Sequence, residues 1–386
     1  MIDQQHTTVS STIVDIPRSG IREIMDVAQE VPGAILLSTG EPNFPTPPHV
    51  VDAAAAAARA GKTTYVANSG IPELREALAE KIRTRNGYGV TPRSIVVTNG
   101  GVEALFASFT ALLDPGDGIL LPDPGWPNFS MMARILRARI QPYPLAAANG
   151  FLPAVEDLER LCDEGTKVLL INSPSNPLGA VIDRERMRAL AAFAERRGLW
   201  IISDECYDEL DFEGAFVSAA AVADPERTVS IYTFSKTYAM TGWRVGYAAA
   251  PVRAAEQIAK LQEPIVSSVN TPAQYAALAA LTGPQEVVAT MRDAYRERRD
   301  EVCARLARAG IAASRPGGAF YVWVDVRASG MTSRQFTLDL LRTRAVALAP
   351  GSAFGAHGEG YARISLATEP TALYEGVDRL IAALRA

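Results

Sequence analysis

Several chemistry-bearing residues stand where apolar runs end. The run Val229–Phe234 delivers Ser235-Lys236, an amine at the edge of an apolar region, where desolvation lowers its pKa and frees it for Schiff-base chemistry. The run Trp200–Ser203 leads straight into Asp204-Glu205, an acid where burial and a cationic partner matter, with Tyr207 three residues beyond Asp204. Eight residues after Lys236 comes Arg244, in Thr241-Gly242-Trp243-Arg244-Val245-Gly246, a rigid guanidinium suited to bidentate phosphate recognition. Ile95–Thr98 is followed by Asn99-Gly100-Gly101-Val102 and a helical pattern, so bare backbone amides at a helix N-terminus form an anion site. Each feature alone has a bland counterpart: a tight turn, a helix cap or a solvated cation. Together they describe one ligand.

The elements that must position these groups alternate. Candidate strands are Ile95–Thr98, Gly118–Leu121, Val168–Ile171, Trp200–Ser203, Val229–Phe234 and Val245–Ala249; helices are predicted at Val50–Ala60, Pro72–Asn86, Val102–Leu113, Arg184–Arg197 and Arg253–Gln262. Strand-helix alternation reads as an α/β fold on a parallel sheet, in which ligands bind beyond the carboxyl ends of the strands. After Gly283-Pro284 a long charged helix, Glu286 to Arg308, leads into separated strands at Ala319–Val324 and Ala362–Ser365 and a closing helix, Thr371–Leu384. This predicts a large domain over 46–283 and a smaller α+β domain made of 284–386 with the N-terminal arm, 1–45. The arm is expected to pack on that domain or on a neighbouring subunit.

Composition excludes several classes. The 386 residues suffice for two or three domains, and 48% hydrophobic with 21% charged residues is globular rather than disordered. A net charge of −5 with no basic block argues against nucleic acid. Cys162, Cys206 and Cys303 are few and far apart, so neither a disulfide framework nor a zinc site is expected, and His6, His49 and His357 are too isolated for a metal site. No apolar run approaches a membrane span, and the start Met1 to Ser11 lacks a signal-peptide pattern, so a soluble cytoplasmic protein is expected. Gly351-Ser352-Ala353-Phe354-Gly355 lacks the spacing of a dinucleotide loop.

A phosphate held by amides, hydroxyls and an arginine, an aldehyde captured by a lysine, and a ring nitrogen paired with an aspartate are the binding needs of pyridoxal 5′-phosphate. Ser235-Lys236 with Gly242-Trp243-Arg244-Val245-Gly246, preceded by Asn172-Ser173-Pro174-Ser175-Asn176-Pro177-Leu178-Gly179 and Asp204-Glu205-Cys206-Tyr207, resembles the fold-type I, class I aminotransferases. The likeness runs from Gly40-Glu41-Pro42-Asn43-Phe44 to Tyr361-Ala362-Arg363-Ile364-Ser365.

The resemblance implies a mostly parallel seven-stranded sheet in the large domain and a role for each matching residue. Lys236 would bond to the coenzyme aldehyde and move the proton between substrate and coenzyme. Asp204 would pair with the ring nitrogen. Asn176 and Tyr207 would donate to the phenolate oxygen, and Trp126 would stack on the ring. Gly101 and Val102 amides, Thr233 and Ser235 hydroxyls and Arg244 would hold the phosphate. Arg363 would clamp the substrate α-carboxylate, with Asn176 also binding substrate and Gly40 giving a backbone contact nearby. Tyr65 would reach the phosphate of the neighbouring subunit, implying a homodimer with composite sites.

The activity implied is transfer of an amino group between an amino acid and a 2-oxo acid in two half-reactions. A β-eliminating lyase of the same fold shares these motifs, and a coenzyme-sensing regulatory domain is the rival from another class. Some relatives that prefer dicarboxylic substrates carry a lysine where this chain has Val102. With Phe129 and Trp126 nearby, neutral or aromatic amino acids are expected to be better substrates than aspartate, unless Arg18 or Arg22 closes over an acidic side chain.

Overall fold

The computed structural model describes residues 9–385, so the first eight residues of the arm, His6 among them, lie outside the described part. Seven strands form the main sheet, in spatial order Ile95–Thr98, Gly246–Ala249, Thr228–Thr233, Trp200–Asp204, Thr166–Asn172, Gly118–Asp123 and Arg139–Pro144. Gly246–Ala249 is antiparallel to both neighbours, and the other pairs are parallel. The central strands are buried along nearly their whole length because helices cover both faces, which is why they read as unbroken apolar runs. On one face Ile202, Val229 and Ile231 pack with Leu105, Phe109 and Ile258; on the other, Leu169, Ile171 and Ile201 pack with Leu190 and Phe193. Each such side chain contributes about 1.5–3 kcal/mol of burial.

The seventh strand, Arg139–Pro144, was absent from the residue pattern. It lies at the sheet edge, alternates in burial and carries Pro142 and Pro144, which an edge strand tolerates. Helices at Pro127–Ile135, Val155–Leu161, Thr271–Thr282 and Ser333–Arg344 also add to the expected set. Two of them carried readable start signals: Asn270 accepts from the Ala273 amide, and Thr332 with Gln335 forms a capping box. Pro72–Asn86 is α-helical to Lys81 and ends in a π turn over Ile82–Asn86.

Toward the C-terminus, Ala349–Pro350, Tyr361–Ser365 and Tyr321–Asp325 form an antiparallel sheet, flanked by the helices Glu286–Arg308, Ser333–Arg344 and Pro370–Leu384. The arm docks here. Ile24 and Ala28 of the helix Gly20–Ala28 pack with Leu341 and Ala347, and Ile35–Leu36 pairs parallel with Val346–Ala347. One apolar cluster, Val302, Val322, Ile364 and Leu373, also contains Leu37, Tyr207 and Leu210. The C-terminal sheet is thereby packed against the chain that leaves the Trp200–Asp204 strand. Among the described residues no helix is long and apolar enough to cross a membrane.

Candidate active site

Asn172, Asp204 and Thr233 end three adjacent parallel strands and open onto one cleft of about 860 Å³. Asn172 is the register partner of Asp204 and donates its side-chain nitrogen to the Asp204 carbonyl at 3.0 Å. Parallel pairing thus brings polar ends together that lie far apart in sequence. The cleft is also lined by Gly40, Gly101, Val102, Trp126, Asn176, Tyr207, Ser235, Lys236, Arg244 and Arg363. Every predicted site residue except Tyr65 therefore borders the same space.

Lys236 lies in a short helix, Phe234–Thr237, capped by Thr233 at the end of its strand. Its Nζ donates to the Gly40 carbonyl at 2.5 Å. Burial pushes its pKa down to about 8, so an appreciable fraction is neutral amine near neutral pH. Asp204 is buried, and desolvation pushes its carboxyl up to about 6, against the lowering effect of the Cys206 amide 3.2 Å from Oδ1. A buried carboxylate with so little compensation is poised to accept a cationic partner.

The end of the cleft expected to take an anion is built from three segments. The helix Gly101–Leu112 starts at the paired glycines. Thr233 Oγ1 donates to Ser235 Oγ at 2.9 Å. Arg244 is exposed, has a left-handed φ of 56°, and donates to the Thr241 and Asn99 carbonyls at 2.7 and 3.2 Å. Gly100 has a left-handed φ of 78°, which favours glycine, and Arg244 Nη2 lies 2.5 Å from where a Cβ would stand.

At the opposite end Arg363 is buried, 2% exposed, in the strand Tyr361–Ser365. It donates to Asn176 Oδ1 at 2.8 Å and to the Ser38 carbonyl at 2.6 Å, while its Nε has no partner. Its guanidinium lies 4.2 Å from the centre of the Tyr321 ring, and the Tyr321 and Tyr207 hydroxyls are 2.9 Å apart. Trp126 borders the cleft with Phe129 against it edge-on at 5.5 Å.

Sequence reasoning did not single out Ser38, Tyr321 or the side-chain role of Asn172. Tyr321 sits in an apolar run and reads as core. Asn172 was visible as the residue ending a buried strand. Tyr65 is 83% exposed and does not line the cleft of its own chain.

The family model for aminotransferases of class I and II matches residues 32–380. The chain belongs to that family. This aminotransferase is 36% identical to an aspartate aminotransferase of Pyrococcus horikoshii, over 100% of its own length and 99% of the relative's. It is 42% identical to a probable aspartate/prephenate aminotransferase of Aquifex aeolicus over 89% of each chain, and 36% identical to an aromatic-amino-acid aminotransferase of Thermococcus litoralis over 94% of each. A solved aspartate aminotransferase of Thermus thermophilus with maleate superposes with a TM-score of 0.93 at 38% identity, covering 97% of this chain and 99% of the other. The fold is therefore that of the fold-type I aminotransferases, whose general coenzyme is pyridoxal 5′-phosphate. The donor set of this aminotransferase fits such a group: a desolvated amine, an under-compensated buried carboxylate, and amides, hydroxyls and a guanidinium gathered at one end.

Proposed function

We propose that this aminotransferase carries pyridoxal 5′-phosphate on Lys236 and passes an amino group between an amino acid and a 2-oxo acid, in sites that two copies of the chain complete jointly. The reading rests above all on one observation: Lys236, Asp204, Arg244 and Arg363 converge on a single cleft. It includes a large unit, 46–283, that holds the coenzyme and a smaller one, 1–45 with 284–386, that contributes Gly40 and Arg363.

The coenzyme, when bound, supplies a protonated ring that accepts the electrons released at the substrate Cα. Asp204 keeps the proton on the ring nitrogen, because a cation against a buried carboxylate favours the ionised acid. Asn176 and Tyr207 donate to the phenolate oxygen; Gly101, Val102, Thr233, Ser235 and Arg244 bind the phosphate; Trp126 offers an aromatic face. Arg363 receives the α-carboxylate, for which its unpartnered Nε and the remaining guanidinium hydrogens are available, with Gly40 beside it. Lys236 Nζ, freed when the substrate amine takes its place on the coenzyme, would move the proton from the substrate Cα to the aldehyde-derived carbon of the coenzyme, a task for an amine whose pKa lies near the working pH.

Neutral or aromatic side chains are expected in the rest of the cleft, whose lining includes Ile13, Ile16, Val102, Leu105 and Met131. A second reading, an acidic substrate, is favoured by the names of several relatives and by Arg22, which borders the cleft and has no ion-pair partner among the described residues. Arg18 is held by Asp26 at 3.1 Å.

The test adds single amino acids to holoenzyme and follows the absorption spectrum together with released product. Stoichiometric conversion to the amine form of the coenzyme with release of oxo acid is expected. Ammonia and pyruvate would instead identify elimination.

A further inference from the structure

We propose that Tyr321 is a positioning residue that orients the Tyr207 hydroxyl toward the coenzyme and links it to Arg363; the inference rests on the coenzyme reading above. Tyr207 and Tyr321 come from different parts of the chain, the loop after the Trp200–Asp204 strand and the first residue of the strand Tyr321–Asp325, and both side chains are buried. Their hydroxyls meet at 2.9 Å, and neither has another hydrogen-bond partner among the described residues. Two phenols sharing one hydrogen bond have two possible polarities. If Tyr207 donates to Tyr321, its proton is spent inside the protein. If Tyr321 donates, the Tyr207 proton is free for the cleft that Tyr207 lines.

The surroundings select the second polarity. The Arg363 guanidinium, 4.2 Å from the Tyr321 ring centre, draws electron density from that ring and makes its O–H the better donor. Burial pushes both phenols upward, and the Arg363 guanidinium acts against that push in each. A donor chain running Tyr321 to Tyr207 to coenzyme also strengthens its last bond, since hydrogen bonds in series polarise one another. Packing fixes the chain in place: a Cβ on Gly40 would meet the Tyr321 hydroxyl at 2.9 Å, and Gly40 is the residue whose carbonyl receives Lys236 Nζ. Tyr321 therefore touches the surroundings of the carboxylate site, the lysine and the phenolate donor at once.

Losing the proton that Tyr321 gives Tyr207 weakens the bond that Tyr207 donates to the phenolate, which leaves more negative charge beside the lysine-coenzyme nitrogen and favours its protonated form. The pH midpoint of the bound coenzyme's absorption change should therefore rise in Tyr321→Phe by about 0.3–1 unit, a two- to tenfold change in the protonation equilibrium. Tyr207→Phe should shift it further in the same direction, and adding Tyr321→Phe to Tyr207→Phe should shift it no more. Because phenylalanine keeps a ring under Arg363, KM in Tyr321→Phe should stay within about threefold of wild type, whereas Tyr321→Leu should raise KM about tenfold or more through the lost cation-π contact. A wild-type midpoint in Tyr321→Phe, or a full-sized shift persisting in the Tyr207→Phe background, overturns the relay. A wild-type protein that binds pyridoxal phosphate with no titrating band overturns the coenzyme reading itself, and the relay with it.

Discussion

Arg363 donates to Asn176 Oδ1 at 2.8 Å, which engages the oxygen of that amide and leaves its NH2 as the end available to a ligand. One hydrogen bond thus ties the proposed carboxylate site to the proposed phenolate donor. Arg363→Lys keeps the charge but loses both the fork and the contact with Asn176. KM for the amino acid is expected to rise about 30- to 100-fold, the equivalent of roughly 2–3 kcal/mol, in initial-rate measurements over a wide range of substrate concentration. An unchanged KM would remove Arg363 from the carboxylate site.

Asp204 makes a prediction about the coenzyme-free protein. Its folded-state pKa of about 6 exceeds the ordinary 3.8, so the fold favours the protonated acid. That contribution is complete below about pH 4 and is lost as pH rises through about 6, leaving the folded chain about 3 kcal/mol less stable at pH 8 than if the group were neutral. Coenzyme-free Asp204→Asn should therefore melt about 2–4 °C above coenzyme-free wild type at pH 8, with the gap closing by pH 4. With coenzyme, the same variant should lose orders of magnitude in turnover, because a neutral ring is a poor electron sink. Calorimetry of both proteins at the two pH values, paired with single-turnover rates, checks both halves; near-normal turnover would refute the role.

Tyr65 is exposed in its own chain, as a residue completing a neighbour's site must be. Mixing Tyr65→Phe chains with Lys236→Ala chains should give hybrid dimers with one intact site and one carrying both lesions. Activity should rise above that of the unmixed parents after subunit exchange. If no rise appears, the cross-subunit role is wrong.

Substrate choice is expected to turn on Val102, which is partly exposed at the cleft and cannot pair with a distal carboxylate. A desolvated carboxylate with no partner costs several kcal/mol, enough for a preference of roughly a hundredfold for phenylalanine or leucine over aspartate in kcat/KM. Val102→Lys should shrink that ratio at least tenfold. Strong wild-type preference for aspartate, abolished in Arg22→Ala, would establish the acidic reading.

The strand ends were legible because buried parallel strands leave long apolar runs, and the polar residues that follow them stand out: Asp204 after Trp200–Ser203, Lys236 after Val229–Phe234. Arg363 was legible as a cation inside an apolar strand. Arg139–Pro144 was not, since an edge strand alternates and carries prolines like a loop. Tyr321 escaped for the opposite reason: within Ala319–Val324 a tyrosine looks like core, and only the fold brings its hydroxyl to Tyr207. Ser38 acts through its carbonyl, which no side-chain pattern can reveal.

Lys236 is the residue proposed to bond to the coenzyme, and that bond can be trapped directly. Wild-type protein is loaded with pyridoxal phosphate, reduced with borohydride, digested and mapped by mass spectrometry. A single pyridoxyl adduct on Lys236, absent from Lys236→Ala, is the predicted result; an adduct on another lysine, with Lys236 unmodified, would contradict it.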